Sequence, residues 1–238
     1  MPRITDAAAQ LRARRTTAVE LAEESLAAIE REQPRINAFI SVDKEGARTA
    51  ARLADSELTA GRDRGVLHGI PISVKDLVDI AGQRTTAASR VLANNISRTD
   101  APLVTRLRDA GAVLIGKTNM HEFALGTTSD DSAFGPVPNP HDVTRSPGGS
   151  SGGSAAAIVV GMGLASIGTD TGGSIRIPAA ACGVVGLKPA FGEVSTAGVI
   201  PLSPSFDHAG PLAQSVEDAA ILWSALSHNP PVSLDGVT

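Results

Sequence analysis

A chain of 238 residues can bury a substantial α/β core, and its 42% hydrophobic and 19% charged content sits near globular averages. A formal charge of -4 supplies no basic field to hold a polyanion, so no direct nucleic-acid partner is expected. The single cysteine, Cys182, excludes a disulfide framework and a cysteine-rich metal site, and it reads as a buried core thiol. The opening stretch MPRITDAAAQLRARRTTAVEL mixes charges of both signs and contains no apolar run of signal-peptide length, so a cytoplasmic protein is expected.

The first third reads as helical. In TTAVELAEESLAAIEREQPRINAF, Thr17 and Glu20 have capping-box spacing, and Val19, Ala22, Leu26 and Ile29 recur at helical intervals until Pro34 stops the pattern. A second helix is predicted over KEGARTAARLADSELTAG, ending at Gly61. The period then changes: Ile70, Ile72 and Val74 alternate with Pro71, Ser73 and Lys75, a strand pattern with Lys75 at its end. APLVTRLRDAG follows as a helix, AVLIGKT as a buried strand, SSGGSAAAIVVGMG as a helix entered from a glycine loop, and LASIGTD as a short strand. Helices alternating with short apolar strands predict an α/β layered core, and neither an internal repeat nor a charged or proline-rich linker divides residues 1–238, which read as one domain.

The stretch from Ser146 to Pro178, SPGGSSGGSAAAIVVGMGLASIGTDTGGSIRIP, carries two glycine-serine clusters around an apolar segment. GGSSGGS has a linker's composition but runs straight into apolar bulk that needs a core. The apolar part from Ala155 to Ile167 is about 13 residues long, too short against the roughly 20 a membrane span requires. GGSSGG also lacks the lysine of a phosphate loop. A Walker string does occur in GAVLIGKT, from Gly111 to Gly116, Lys117 and Thr118. Its intervening Ala112, Val113, Leu114 and Ile115 favour a buried strand over a loop with inward-turned amides, so nucleotide binding stays a minor alternative.

The second cluster, Thr171-Gly172-Gly173-Ser174, offers a small-residue turn ahead of a candidate helix start, where backbone N–H groups can converge beside the Ser174 hydroxyl. Such donors stabilise an oxyanion, and losing one costs about 3 to 4 kcal/mol in the transition state. A serine nucleophile also needs a base. His68, His121, His141, His208 and His228 carry no triad signature and read as surface or loop residues, and they form no metal cluster. No cofactor is implied.

GIPISVKDLVDIAG, DAGAVLIGKTNMHEFALG, SPGGSSGGSAAA, GTDTGGSIRIPAA and GLKPAFGEVSTAGVIPLSPSFDHAGPLAQSVEDAA together resemble the successive blocks of the amidase signature family, in order and across essentially the whole chain. The resemblance implies a mixed β-sheet core flanked by helices and a Ser-Ser-Lys triad. The lysine of the VKD block is Lys75, the first serine of GGSSGG is Ser150, and the serine of TGGS is Ser174. It further implies a cis Gly149-Ser150 peptide, nucleophilic attack by Ser174 on an amide carbonyl, proton transfer through Ser150 to Lys75, and an oxyanion hole at the amides of Thr171, Gly172, Gly173 and Ser174. For Lys75 to act as a base near neutrality its pKa must fall from roughly 10.4 to about 7, equivalent to about 4 kcal/mol of differential desolvation. Asp170 and Arg176 are assigned to holding the turn, and Ser151 to assisting the relay by hydrogen bonding. The expected substrate is a small carboxamide. A glutaminase-type chain of a glutamyl-tRNA amidotransferase, which acts with partner subunits, and a catalytically silent homologue are the alternatives. Family members are considerably longer, so the C-terminal part of the usual fold is expected to be absent, leaving a sheet edge for a second copy or a complementing chain. Glu193, where a basic residue is common, is a local departure.

Overall fold

The computed structural model describes residues 3–227, which leaves His228 outside the described residues. The elements are α1 (Ile4–Arg12), α2 (Ala18–Ile36), β1 (Phe39–Val42), α3 (Lys44–Thr59), β2 (Pro71–Lys75), α4 (Pro102–Asp109) and β3 (Val113–Thr118), then α5 (Gly152–Val159), β4 (Ala165–Asp170), α6 (Arg176–Cys182), β5 (Val185–Gly186), β6 (His208–Ala213) and α7 (Val216–Leu226).

Thr17 caps α2 as its spacing predicts: its hydroxyl accepts from Glu20 N at 3.1 Å, and the Glu20 carboxylate accepts from Thr17 N at 2.8 Å. Asp55 of α3 takes the next two orphan amides, Ala18 N at 2.7 Å and Val19 N at 3.1 Å, which ties the two helices together at that end. Pro34 does not stop the helix. It sits in the last turn, and α2 runs on to Ile36 before Asn37 closes it in the left-handed conformation. An interior proline costs about 3 kcal/mol. Here the extra turn buries Ile36 completely and lets the Gln33 side chain bond both the N–H and the carbonyl of Phe39.

The six strands form one mixed sheet in the order β1-β3-β2-β4-β6-β5. β2 lies between β3 and β4 and runs parallel to both, while the other pairings are antiparallel. The alternation in β2 predicts a strand but not its environment: all five residues are buried, because α2 and α5 both pack on this central strand. Full burial of residues such as Ile72 and Val74 contributes about 1.5 to 3 kcal/mol each. One apolar cluster extends from Ile4 in α1 to Leu226 in α7.

Three strands carry no clear sequence signal. β1 and β5 are very short, and β6 contains Gly210 and Pro211, both poor strand formers. β6 forms because its six residues pair in register with β4, and Pro211 O also accepts from Leu187 N at 3.0 Å. β1 and β5 are the sheet's edges. Among the described residues no helix is long and apolar enough to cross a membrane.

Candidate active site

Lys75 ends β2 with its side chain fully buried. Its Nζ is 2.7 Å from Ser150 Oγ and 2.7 Å from Thr169 Oγ1. Burial in a site without a contacting carboxylate pushes its pKa down from 10.5 to about 7, and the more distant charges of Asp170 and Asp207 oppose that shift only in part.

Ser150 is fully buried and follows a cis peptide from Gly149. Its carbonyl accepts from His121 N at 3.1 Å and from Ser129 Oγ at 3.3 Å. The glycines around it are close-packing devices. A Cβ on Gly149 would sit 2.8 Å from the backbone of Thr127 and Thr128, and one on Gly153 would sit 2.3 Å from Asn119 O. The serine-glycine cluster is therefore folded into the core where α5 begins, and a flexible linker is excluded.

Ser174 stands at the other side of the same junction. Ser151 N donates to Ser174 O at 3.2 Å, which fastens the start of α5 to the nucleophile-candidate loop. Ser174 retains 7% exposure, and its hydroxyl makes no hydrogen bond among the described residues. Asp170 organises the loop that leads to it. One carboxylate oxygen accepts from Gly173 N at 2.8 Å and Arg176 Nη2 at 3.0 Å, and the other from Ile175 N at 3.1 Å and Arg176 Nε at 3.0 Å. Burial raises the Asp170 pKa, but the Arg176 side chain and the backbone donors outweigh it and hold the carboxyl below its ordinary range.

Two details differ from expectation. The Gly173 amide is engaged by the Asp170 side chain, so of the four expected oxyanion donors only the N–H groups of Thr171, Gly172 and Ser174 have no hydrogen-bond partner among the described residues. The Ser151 hydroxyl does not touch Ser150 or Lys75. It donates to Thr169 O at 3.2 Å and accepts from Thr169 N at 3.3 Å, both groups belonging to the residue whose own hydroxyl reaches Lys75. Thr169 thus occupies the supporting place expected of Ser151. Period and composition give no sign of this, because the contact joins β2 to a residue near the end of β4.

Other chemistry-bearing residues fall elsewhere. Lys117, the lysine of the Walker string, is buried in β3 with Nζ 3.0 Å from Asp76 Oδ1 and 3.2 Å from both Arg84 O and Thr85 Oγ1. Desolvation lowers its pKa, against the pull of Asp76. No loop capable of cradling phosphates forms there. His68 is fully buried, 3.2 Å from a Glu57 carboxylate oxygen, so the surface reading fails for it: the turn that carries it is folded under α3. His141 Nε2 lies 2.8 Å from Cys182 O, and His208 Nδ1 3.1 Å from Asp170 O. Glu193 accepts from Ala190 N at 2.9 Å and from Trp223 Nε1 at 3.3 Å, a local packing role. Among the described residues no group of three or more His, Cys, Asp or Glu could hold a metal ion.

Known proteins resemble this chain in sequence and in fold. The Amidase family model matches residues 20–235. The chain is 46% identical over 235 residues to the glutamyl-tRNA(Gln) amidotransferase A-subunit of Anaeromyxobacter sp. (strain K), covering 99% of this chain and 48% of that protein. A crystal structure of an amidase superposes with a TM-score of 0.93 at 48% identity, covering 100% of this chain and 54% of that one. The peptide amidase from Stenotrophomonas maltophilia does so with a TM-score of 0.90 at 42% identity, covering 96% and 48%. The chain spans about half the length of these relatives. With a family match over nearly all its residues and this mixed sheet in common with solved amidases, the chain belongs to the amidase family.

Proposed function

We propose that the chain hydrolyses a carboxamide C–N bond to a carboxylate and ammonia or an amine, through an acyl-enzyme on Ser174. The observation that carries this reading is a fully buried lysine with a pKa near 7 in direct contact with a buried serine. A lysine in that state is half neutral at physiological pH and can take a proton that an ordinary lysine cannot.

In the proposed cycle, Ser174 Oγ attacks the amide carbonyl carbon. Its proton passes to Ser150 Oγ as the Ser150 proton moves to Lys75 Nζ. The carbonyl oxygen becomes an oxyanion facing the amides of Thr171, Gly172 and Ser174. Collapse breaks the C–N bond, and the proton returns from Lys75 through Ser150 to the leaving nitrogen. Water then repeats the sequence on the ester, releasing the acid and restoring Ser174. Asp170 and Arg176 hold the loop, and the Thr169 hydroxyl keeps Lys75 Nζ aimed at Ser150. A small-molecule amide is the proposed substrate, and a second copy or a complementing chain on a sheet edge is the proposed partner.

A second reading is favoured by the 46% identity to the amidotransferase chain: the amide is then glutamine, and ammonia is passed on within a complex. Intact-mass analysis after a serine-directed fluorophosphonate tests the chemistry common to both. One adduct on Ser174, lost in Ser174→Ala and Lys75→Ala, is the expected result. A folded chain that takes no adduct refutes the mechanism and leaves a catalytically silent family member. Ammonia release from glutamine only after partner subunits are added selects the second reading over the first.

A further inference from the structure

Asp207 is not required by the mechanism above, yet it is built into the donor loop. Its Oδ1 accepts from Thr171 Oγ1 at 2.5 Å, and its two oxygens accept from Leu202 N at 3.0 Å and from Ser203 N at 3.0 and 3.1 Å. Thr171 is the first residue after β4, and a Cβ added to its neighbour Gly172 would meet only open space, so that corner of the loop is not held by packing. Asp170 fixes the far side of the loop through Gly173, Ile175 and Arg176 but bonds neither Thr171 nor Gly172. The loop is thus held by two carboxylates, and the half that carries two of the three free amides depends on Asp207.

We infer that Asp207 is a positioning residue for the oxyanion-facing amides of Thr171 and Gly172, acting through its hydrogen bond to the Thr171 hydroxyl. The inference rests on the function proposed above. Its geometric basis is that a hydroxyl pinned at 2.5 Å fixes the Thr171 side chain, and with it the peptide plane that precedes Gly172. The carboxylate has a second effect. With Asp170 it is one of the two charges that favour the ammonium form of Lys75, whose other polar neighbours are the hydroxyls of Ser150 and Thr169. The adjacent Arg176 and His208 are occupied elsewhere: Arg176 pairs with Asp170, and the His208 ring nitrogen faces Asp170 O and Phe206 O.

The test is the rate of fluorophosphonate labelling of the full chain as a function of pH, with Thr171→Val, Thr171→Ser, Asp207→Ala, Asp207→Asn and the Thr171→Val/Asp207→Ala double variant. Thr171→Val and Asp207→Ala should each slow labelling by about 100-fold, the effect of a displaced or lost oxyanion donor. The double variant should be no slower than Asp207→Ala alone, because that change already breaks the link to Thr171. Thr171→Ser should restore labelling. Asp207→Asn should move the midpoint of the pH profile to lower pH, since a charge favouring the Lys75 ammonium is removed, whereas Thr171→Val should leave that midpoint in place. Additive losses in the double variant, or wild-type labelling by Thr171→Val, overturn the inference. If the wild-type chain takes no adduct, the proposed function fails by itself and the inference is read from amide spectra. The Thr171 and Gly172 N–H resonances should then shift alike in Thr171→Val and Asp207→Ala, and unmoved resonances overturn it.

Discussion

Replacing Lys75 by methionine isolates the cost of burying its charge. The free amine of an unfolded chain holds its proton up to about 10.5, whereas the folded site holds it only to about 7. Between those values unfolding takes up a proton, so raising the pH favours the folded state. Below pH 7 both states are protonated and the folded chain bears the full penalty; above 10.5 neither is, and the penalty vanishes. The interval corresponds to about 5 kcal/mol in total, accumulating at about 1.4 kcal/mol per pH unit. Methionine has a similar length and no proton to exchange, and Lys117 is common to both chains and cancels in their difference. Urea unfolding of wild type and Lys75→Met at about pH 6, 7, 8 and 9 should show the wild type's relative stability nearly flat over the first interval. It should then rise by about 2 to 3 kcal/mol over the next two. A flat difference across the whole range would refute the claim that desolvation prepares Lys75 as a base.

Three further outcomes follow from the packing. Lys117→Met strands the buried Asp76 carboxylate and should cost about 3 to 5 kcal/mol, measured as a lowered urea midpoint, and a companion Asp76→Leu change should recover much of it. Gly153→Ala drives a methyl against the carbonyls of Asn119 and Ala38 and should destabilise by about 1 to 3 kcal/mol or prevent folding, as thermal melts would reveal. Cys182 is buried and its thiol pushed up to about 12, so a thiol reagent at about pH 8 should leave the native chain unmodified and react with one group per chain after denaturation.

Local rules made much of the scaffold legible. The Thr17 and Glu20 cap, the α3 stop near Gly61, the strands ending at Lys75 and Thr118, and the helix entered from the glycine cluster all depend on neighbours within a few residues, which the sequence displays directly. The resemblance of five ordered blocks pointed to Lys75, Ser150 and Ser174, and the fold brings Lys75 and Ser150 into contact and places Ser174 on a loop fastened to the Ser150 segment. Pro34 misled because its cost is local while the gain from burying Ile36 is not.

Local patterning therefore accounts for α2 to α5, for β2, β3 and β4, and for the residue types available for acyl transfer, but not for β1, β5 or β6. Tertiary structure alone decided the environment of each. It buried both faces of β2, so that an ordinary strand-end lysine became one with a pKa near 7. It put Thr169 rather than Ser151 against that lysine, committed the Gly173 amide to Asp170, and brought Asp207 across to Thr171. Each of these is a contact across the sheet or between distant loops, where desolvation and hydrogen-bond competition act among residues far apart in the chain.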